Sequence, residues 1–336
     1  MAGKEHLAHD RETLRMKVRI CADLEEGRRL WRKLWTQQNL FDLWEIRLCF
    51  QKFFERLPHF IVAEEQNRPV GFLPLSWIEE ADSFGYFPGE TWGDRTWLEQ
   101  NRIPAAWLPV RQALWDAAPE NTELRYLHQE TATSLPGMSI DEIGYHFYPQ
   151  RHHYDFDDYW MLFSRKSRKQ IRRELEKFEA MGCQYHLNSW EDITWMFEAN
   201  LKTYGTSSYF YDSRFMNGFD SMLSFLARHR MLRVTTIRIH GRRAAVDVGA
   251  IFRNRYTVLA GGTDPEFLGI AKMINLFHIK WGCTQHFERI DFLCGDFGWK
   301  KRFHLHPHPL YRKNKEALDT SAAVSDAEQR FVFGEV

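Results

Sequence analysis

Asp247 lies within the run Ala244-Ala-Val-Asp-Val-Gly-Ala-Ile-Phe252, whose composition suits a strand buried on both faces. An ionised carboxylate in such a strand is costly unless it is paired or put to use. Burial would raise its pKa, and a carboxyl tuned in that way can take a proton from an attacking group as a general base. The alternative is a structural hydrogen-bond partner for a neighbouring loop. Asp296 and Lys300 flank Trp299 just beyond an apolar strand, Arg289–Leu293. Strand exits are where α/β proteins bind ligands, and an ammonium there can steady a developing oxyanion or a phosphate. Lys301, beside it, reads as plain surface.

Between these residues runs a strand–loop–helix–strand unit from Arg255 to Leu293. Its first strand ends in Gly261-Gly262, and its helix begins at Ile270, just after Gly269. A helix start presents unpaired N–H groups and the positive end of the dipole, so it favours anions. Lys272 in the first turn could add a charge-assisted contact. Gly261, Gly262 and Gly269 could equally serve only to shape turns. Tyr209 and Tyr211, on either side of Phe210, read as a loop covering a cleft, with simple packing as the alternative.

Other clusters carry less. The helix Ser164–Met181, closed by Gly182, bears Arg165, Lys166, Arg168, Lys169, Arg172, Arg173 and Lys177 on more than one face. Glu174, Glu176 and Glu179 can pair with some of them along the helix. It reads as a solvated helix, or else as a contact for phosphates. His304, His306 and His308 alternate, which would put three imidazoles on one strand face. Pro307 and Pro309 break that strand, and no acidic or cysteine ligand lies near, so no metal site is expected. His152-His153 reads as an interface or cleft feature.

These residues need a scaffold, and the chain supplies one twice. Lys17–Cys21 reads as a strand, followed by helices over Glu25–Gln38 and Leu43–Phe54 and strands over His59–Glu64 and Pro69–Ile78. Gln66-Asn67-Arg68 marks a hairpin turn. The stretch 85–136 is less regular, with a helix expected over Ala105–Ala118 and a strand over Glu123–Leu127. The second half repeats the plan. A strand at Gln184–Leu187 precedes helices over Glu191–Tyr204 and Phe215–Arg228, then strands over Leu232–Ile239, Ala244–Phe252 and Arg255–Ala260. The fold class expected is α/β (α+β): two tandem units, each a mixed, mostly antiparallel sheet flanked by helices. The division is 1–150, 151–312 and a polar tail, 313–336.

At 336 residues two domains are expected. Hydrophobic residues at 44% and charged residues at 27% describe a folded globular chain. The formal net charge of zero gives no general electrostatic case for DNA or another acidic polymer. Five scattered cysteines without a C-x-x-C pair fit a reducing compartment. With no apolar leader and no run long enough to span a membrane, a soluble cytoplasmic protein is the expectation.

The segment Asp291-Phe-Leu-Cys-Gly-Asp-Phe-Gly-Trp-Lys-Lys-Arg-Phe303 has the pattern D-F-L-x-G-D-x-x-(aromatic)-K-x-x-(aromatic). It resembles FemAB-related proteins of the GNAT superfamily, including the cellulose-biosynthesis (CelD-like) acetyltransferases. The basic helix Ser164–Gly182 and the run Val70–Leu75 (VGFLPL), after a helical W-x-x-L-W pattern, resemble the same family. The likeness covers roughly residues 25–312. It implies an acyl donor held by the second unit through the phosphates of coenzyme A and direct transfer to an acceptor nucleophile. The acyl group, acetyl by expectation, would pass from acetyl-CoA to an amine or hydroxyl of a sugar or small metabolite. Family members often have Pro-Gly where this chain has Leu268-Gly269. Two other readings stay open: an aminoacyltransferase using charged tRNA, and an inactive binding protein that keeps the cleft.

Overall fold

The structure, a computed structural model, describes residues 16–295 and 297–315. Each half carries, in this order, a strand, two helices and an antiparallel meander. In the first half these are β1 (Lys17–Cys21), α1 (Leu24–Leu34), α2 (Trp44–Phe54), β2 (Pro58–Glu65), β3 (Arg68–Ile78) and β4 (Ser83–Tyr86). Asp23 caps α1 by accepting from the Glu26 N–H at 2.6 Å. The β2–β3 turn is formed by Gln66 and Asn67, both left-handed, the conformation that matches strand twist in a two-residue hairpin. α3 (Leu108–Asp116), β5 (Thr122–Leu127), the short α4 (Gln129–Ala132) and β6 (Ser139–Phe147) follow.

The second half contains α5 (Phe156–Trp160), α6 (Arg165–Ala180), β7 (Gln184–Leu187), α7 (Asp192–Tyr204) and α8 (Ser213–Arg228). Its meander is β8 (Leu232–Ile239), β9 (Arg242–Phe252) and β10 (Arg255–Thr263), with left-handed turns at His240-Gly241 and Arg253-Asn254. α9 (Ile270–Thr284), β11 (Arg289–Asp291), α10 (Gly298–Arg302) and β12 (His306–Lys315) complete the described chain.

All twelve strands join one sheet in the order β1-β2-β3-β4-β5-β12-β6-β11-β10-β9-β8-β7. Each half contributes four antiparallel strands and one parallel partner, β4 with β5 and β10 with β11. The last strand of each half is exchanged. β6 pairs with β11 and β12, while β12 pairs with β5 and β6. The sheet therefore crosses the sequence division near residue 150, and β12 spans the one expected between 312 and 313.

β6 has no strand expected in its place, because Asp141 and Glu142 interrupt its apolar alternation. Pro307 and Pro309 are tolerated in β12 because β5 pairs with it only from Tyr311 onward. No ladder donor is needed on that side of the prolines. One face of the second half carries α8 and α7, sharing a core of Phe50, Phe215, Phe219, Met222 and Val248 with α2. The opposite face carries α5, α6 and α9, over cores that include Tyr159, Tyr256, Ile279 and Ile270.

Candidate active site

β10 and β11 pair in parallel only through Arg255–Thr257 and Arg289–Asp291. β11 then ends, while β10 runs on to Thr263 with a bulge at Leu259 between its pairings with Gly249 and Val248. The strands part, and the gap opens a cavity of about 620 Å³. Its walls include the free edge of β10 from Val258 to Thr263 and the loop Phe292–Gly295. Ala271, Ile274 and Asn275 of α9 line it from one face of the sheet. Phe210, Phe215 and Phe219 line it from the other, with Trp97 and Glu99 contributed by the first half. The cavity thus passes through the sheet.

Asp247 borders this cavity. Its Oδ2 lies 2.9 Å from Nε2 of His278, which α9 buries completely. Gly261 is its direct neighbour on β10, and a Cβ there would stand 2.1 Å from Asp247 Oδ1. A Cβ on Gly262 would meet the Met196 carbonyl oxygen of α7 at 2.7 Å. Both glycines lie inside the strand rather than in the loop. One leaves room for a carboxylate, the other for a helix backbone.

Gly269 caps α9 with φ +93°. Glu174 of α6 stands 3.9 Å from where a Cβ of Gly269 would be, and Lys272 is bonded to Glu174. Ile270 is buried and Ala271 reaches the cavity; Lys272 does not line it.

Lys300 differs most from the sequence expectation. Only 3% exposed, it donates to the carbonyls of Phe292 at 2.9 Å, Leu293 at 2.9 Å and Cys294 at 2.7 Å. All three ammonium hydrogens are taken, so it fastens the strand-exit loop and has none left for an oxyanion or phosphate. Burial lowers its pKa. Trp299 lines the cavity and packs edge-on against Phe292 and Phe303. Tyr209 lines it too, donating to the Thr96 carbonyl at 3.3 Å. Tyr211 points elsewhere, 62% exposed. Asp296 lies outside the described residues.

The first half supplies groups that sequence reasoning missed. Glu99 is buried and accepts from the Cys294 N–H at 2.7 Å. Burial, and next the charge of Asp291, push its pKa well above the carboxylate range. Asp291 accepts from Gln100 at 2.6 Å and from the Leu293 N–H at 2.9 Å. Burial opposes its ionisation, yet His146 and Arg289 hold its pKa far below normal. Glu142 and Tyr126 complete that end of the cavity. Burial and Glu99 push the Tyr209 hydroxyl up to about 12. No spacing signal could have joined Glu99 to Cys294, 195 residues away.

His306 and His308 sit on β12, but His304 precedes it. The His308 ring stacks on His146 at 4.7 Å, and burial pushes His308 down to about 4. Among the described residues no group of three or more is arranged to hold a metal ion. No described helix is long and apolar enough to cross a membrane.

Residues 165–301 match the family model described as an acetyltransferase (GNAT) domain. No curated protein matches the sequence. Among solved structures the chain is similar to a conserved protein of unknown function from Bacteroides thetaiotaomicron. That match has a TM-score of 0.57 at 13% identity, covering 88% of this chain and 99% of the other. It is also similar to FemX, with a TM-score of 0.56 at 9% identity, covering 91% and 99%. L-PGS from Bacillus licheniformis matches with a TM-score of 0.53 at 8% identity, covering 93% and 97%. At these identities the likeness is one of fold. The architecture is two similar mixed α/β halves sharing one sheet, the second of which matches the acetyltransferase (GNAT) domain.

Proposed function

We propose that the protein moves an acyl group from a coenzyme A thioester directly to an amino group, in the cavity between β10 and β11. The observation that carries this reading is the passage through the sheet. It leaves the edge of β10 unpaired between the start of α9 on one face and the buried carboxylate of Glu99 on the other. A thioester laid along that edge meets strand N–H groups aimed at its carbonyl oxygen, where negative charge develops. The free amine forms the new N–C bond as the C–S bond breaks, Glu99 takes the proton that the nitrogen loses, and the departing thiolate takes a proton from solvent.

The residues at the mouth fit the phosphates of such a donor, with one rearrangement. Gly269 and the first turn of α9 offer backbone donors, and Lys272 is at hand. Glu174 now holds Lys272, so a phosphate must displace it. Asp247, steadied by His278, is assigned to the α9 side of the cavity, which it shapes together with Gly261. Lys300 is assigned to holding the loop that carries the Glu99 partner.

A second donor, aminoacyl-tRNA, is favoured by one feature: Arg165, Lys166, Lys169, Arg172 and Arg173 are exposed along α6, beside the start of α9. Titration calorimetry with acetyl-CoA and filter binding with charged tRNA separate the two. The coenzyme A reading expects saturable one-to-one binding of acetyl-CoA and only salt-sensitive, amino-acid-indifferent retention of tRNA. No heat with acetyl-CoA from a folded sample, together with tight binding of one charged tRNA, would reverse it.

A further inference from the structure

We infer that the acceptor amine is carried on an apolar body, aromatic or aliphatic, that lies against the α8 side of the cavity, and that the acceptor is not a sugar. The inference rests on the acyl-transfer reading and says what the nucleophile is attached to.

On that side the cavity is backed by the buried apolar side chains of Trp97, Phe210, Phe215, Phe219 and Leu293. The rings form one packed set: Trp97 meets Phe215 and Phe219 edge-on at 5.8 and 5.3 Å, and Phe210 meets Phe219 at 5.1 Å. At the mouth two further aromatic residues are unusually open to water, Tyr204 at 55% and Phe297 at 57% exposure, and both border the cavity. Large rings held in solvent beside a cavity backed by apolar side chains form a surface that a polar ligand would not reward.

The polar groups on this wall are mostly taken. Asn200 donates to the Gly261 carbonyl at 2.9 Å and accepts from Ser208 at 2.7 Å. Thr203 donates to the Ala199 carbonyl at 2.9 Å. A sugar ring, with hydroxyls all round, would find few partners among them, and each unmet hydroxyl is costly to bury.

Charge narrows the choice further. Lys300 is the only cation among the described lining residues, and its hydrogens are taken. An acid or phosphate acceptor would therefore meet no free counter-charge. Glu142 borders the inner end beside the buried Glu99, and the Glu142 side chain makes no hydrogen bond or ion pair with a described residue. An ammonium group suits that end. An acyl tail pushed there instead would leave Glu142 desolvated and unpaired. The amine therefore points inward, and its apolar remainder points toward Tyr204 and Phe297.

The test uses the full chain with acetyl-CoA as donor and 2-phenylethylamine, n-octylamine and glucosamine as acceptors. Burial of a ring or alkyl chain predicts a kcat/KM roughly ten- to hundredfold higher for the two apolar amines than for glucosamine. Tyr204→Ser and Phe297→Ser, both at exposed positions, should raise KM for 2-phenylethylamine about three- to tenfold, with the change falling on KM rather than kcat. Equal or better use of glucosamine would overturn the inference. So would rim variants that leave the amine KM unchanged but weaken use of decanoyl-CoA, because the wall would then belong to the acyl chain. Calorimetry with 2-phenylethylamine alone keeps the two readings apart. If the amine binds and the rim variants weaken it while coenzyme A fails to bind, the donor assignment falls and the apolar pocket stands.

Discussion

Glu99→Gln is expected to lower kcat by roughly 10²- to 10⁴-fold, the usual contribution of a positioned general base. The carboxylate is buried at the inner end of the cavity and held by the Cys294 N–H, a bond that glutamine can keep through its amide oxygen. What glutamine cannot do is accept the proton of the attacking amine. Because burial and the nearby Asp291 raise the pKa of Glu99, the wild-type rate should climb with pH through a value above the ordinary carboxylate range. That limb should vanish in the variant.

The same shift has a signed effect on stability. Folding raises the pKa of Glu99, so its contribution is fully present below the unfolded-state value and is lost as pH rises through the folded-state value. Glu99→Gln, which cannot ionise, should melt with the wild type in acid and above it at alkaline pH. A wild-type pH–rate profile retained by the variant would remove Glu99 from the reaction and return attention to Asp247.

Lys300→Met is expected to destabilise the protein by about 3–5 kcal/mol, the range for removing one partner from a buried charged network. Three carbonyls, of Phe292, Leu293 and Cys294, lose their donor together. The loop they belong to also carries the N–H that holds Glu99, so turnover should fall even in the fraction that remains folded. Urea denaturation alongside steady-state rates checks both effects. Unchanged unfolding with lost turnover would instead show that the ammonium acts on the substrate.

The contrast between those two residues shows what the sequence can and cannot carry. Hairpin turns such as His240-Gly241, the helix from Ile270 and the repeated strand–helix–helix–meander plan are local, and local patterns declare them. Asp247 stood out because a carboxylate in an apolar strand needs a reason, and the strand does bring it to the cavity. Lys300 was equally visible, but its three carbonyl partners follow from how the chain turns back after β11, which no spacing reveals. Gly261 and Gly262 suggested a strand end or a turn. They are glycines because of what stands opposite them, Asp247 and the backbone of α7. β6 and β12 were obscured by Asp141, Glu142, Pro307 and Pro309; Asp141 is paired with Arg125 of β5, and the prolines lie where β5 does not pair with β12. Glu99 needed the whole fold, since it reaches the site from a stretch without regular structure in the other half.

Amide hydrogen exchange with and without acetyl-CoA tests the central claim most directly. Added protection is expected along the free edge of β10, from about Val258 to Thr263, and over the first turn of α9 after Gly269, with little change in β1 to β4. Protection confined to the first half, or none at either segment at saturating acetyl-CoA, would contradict it.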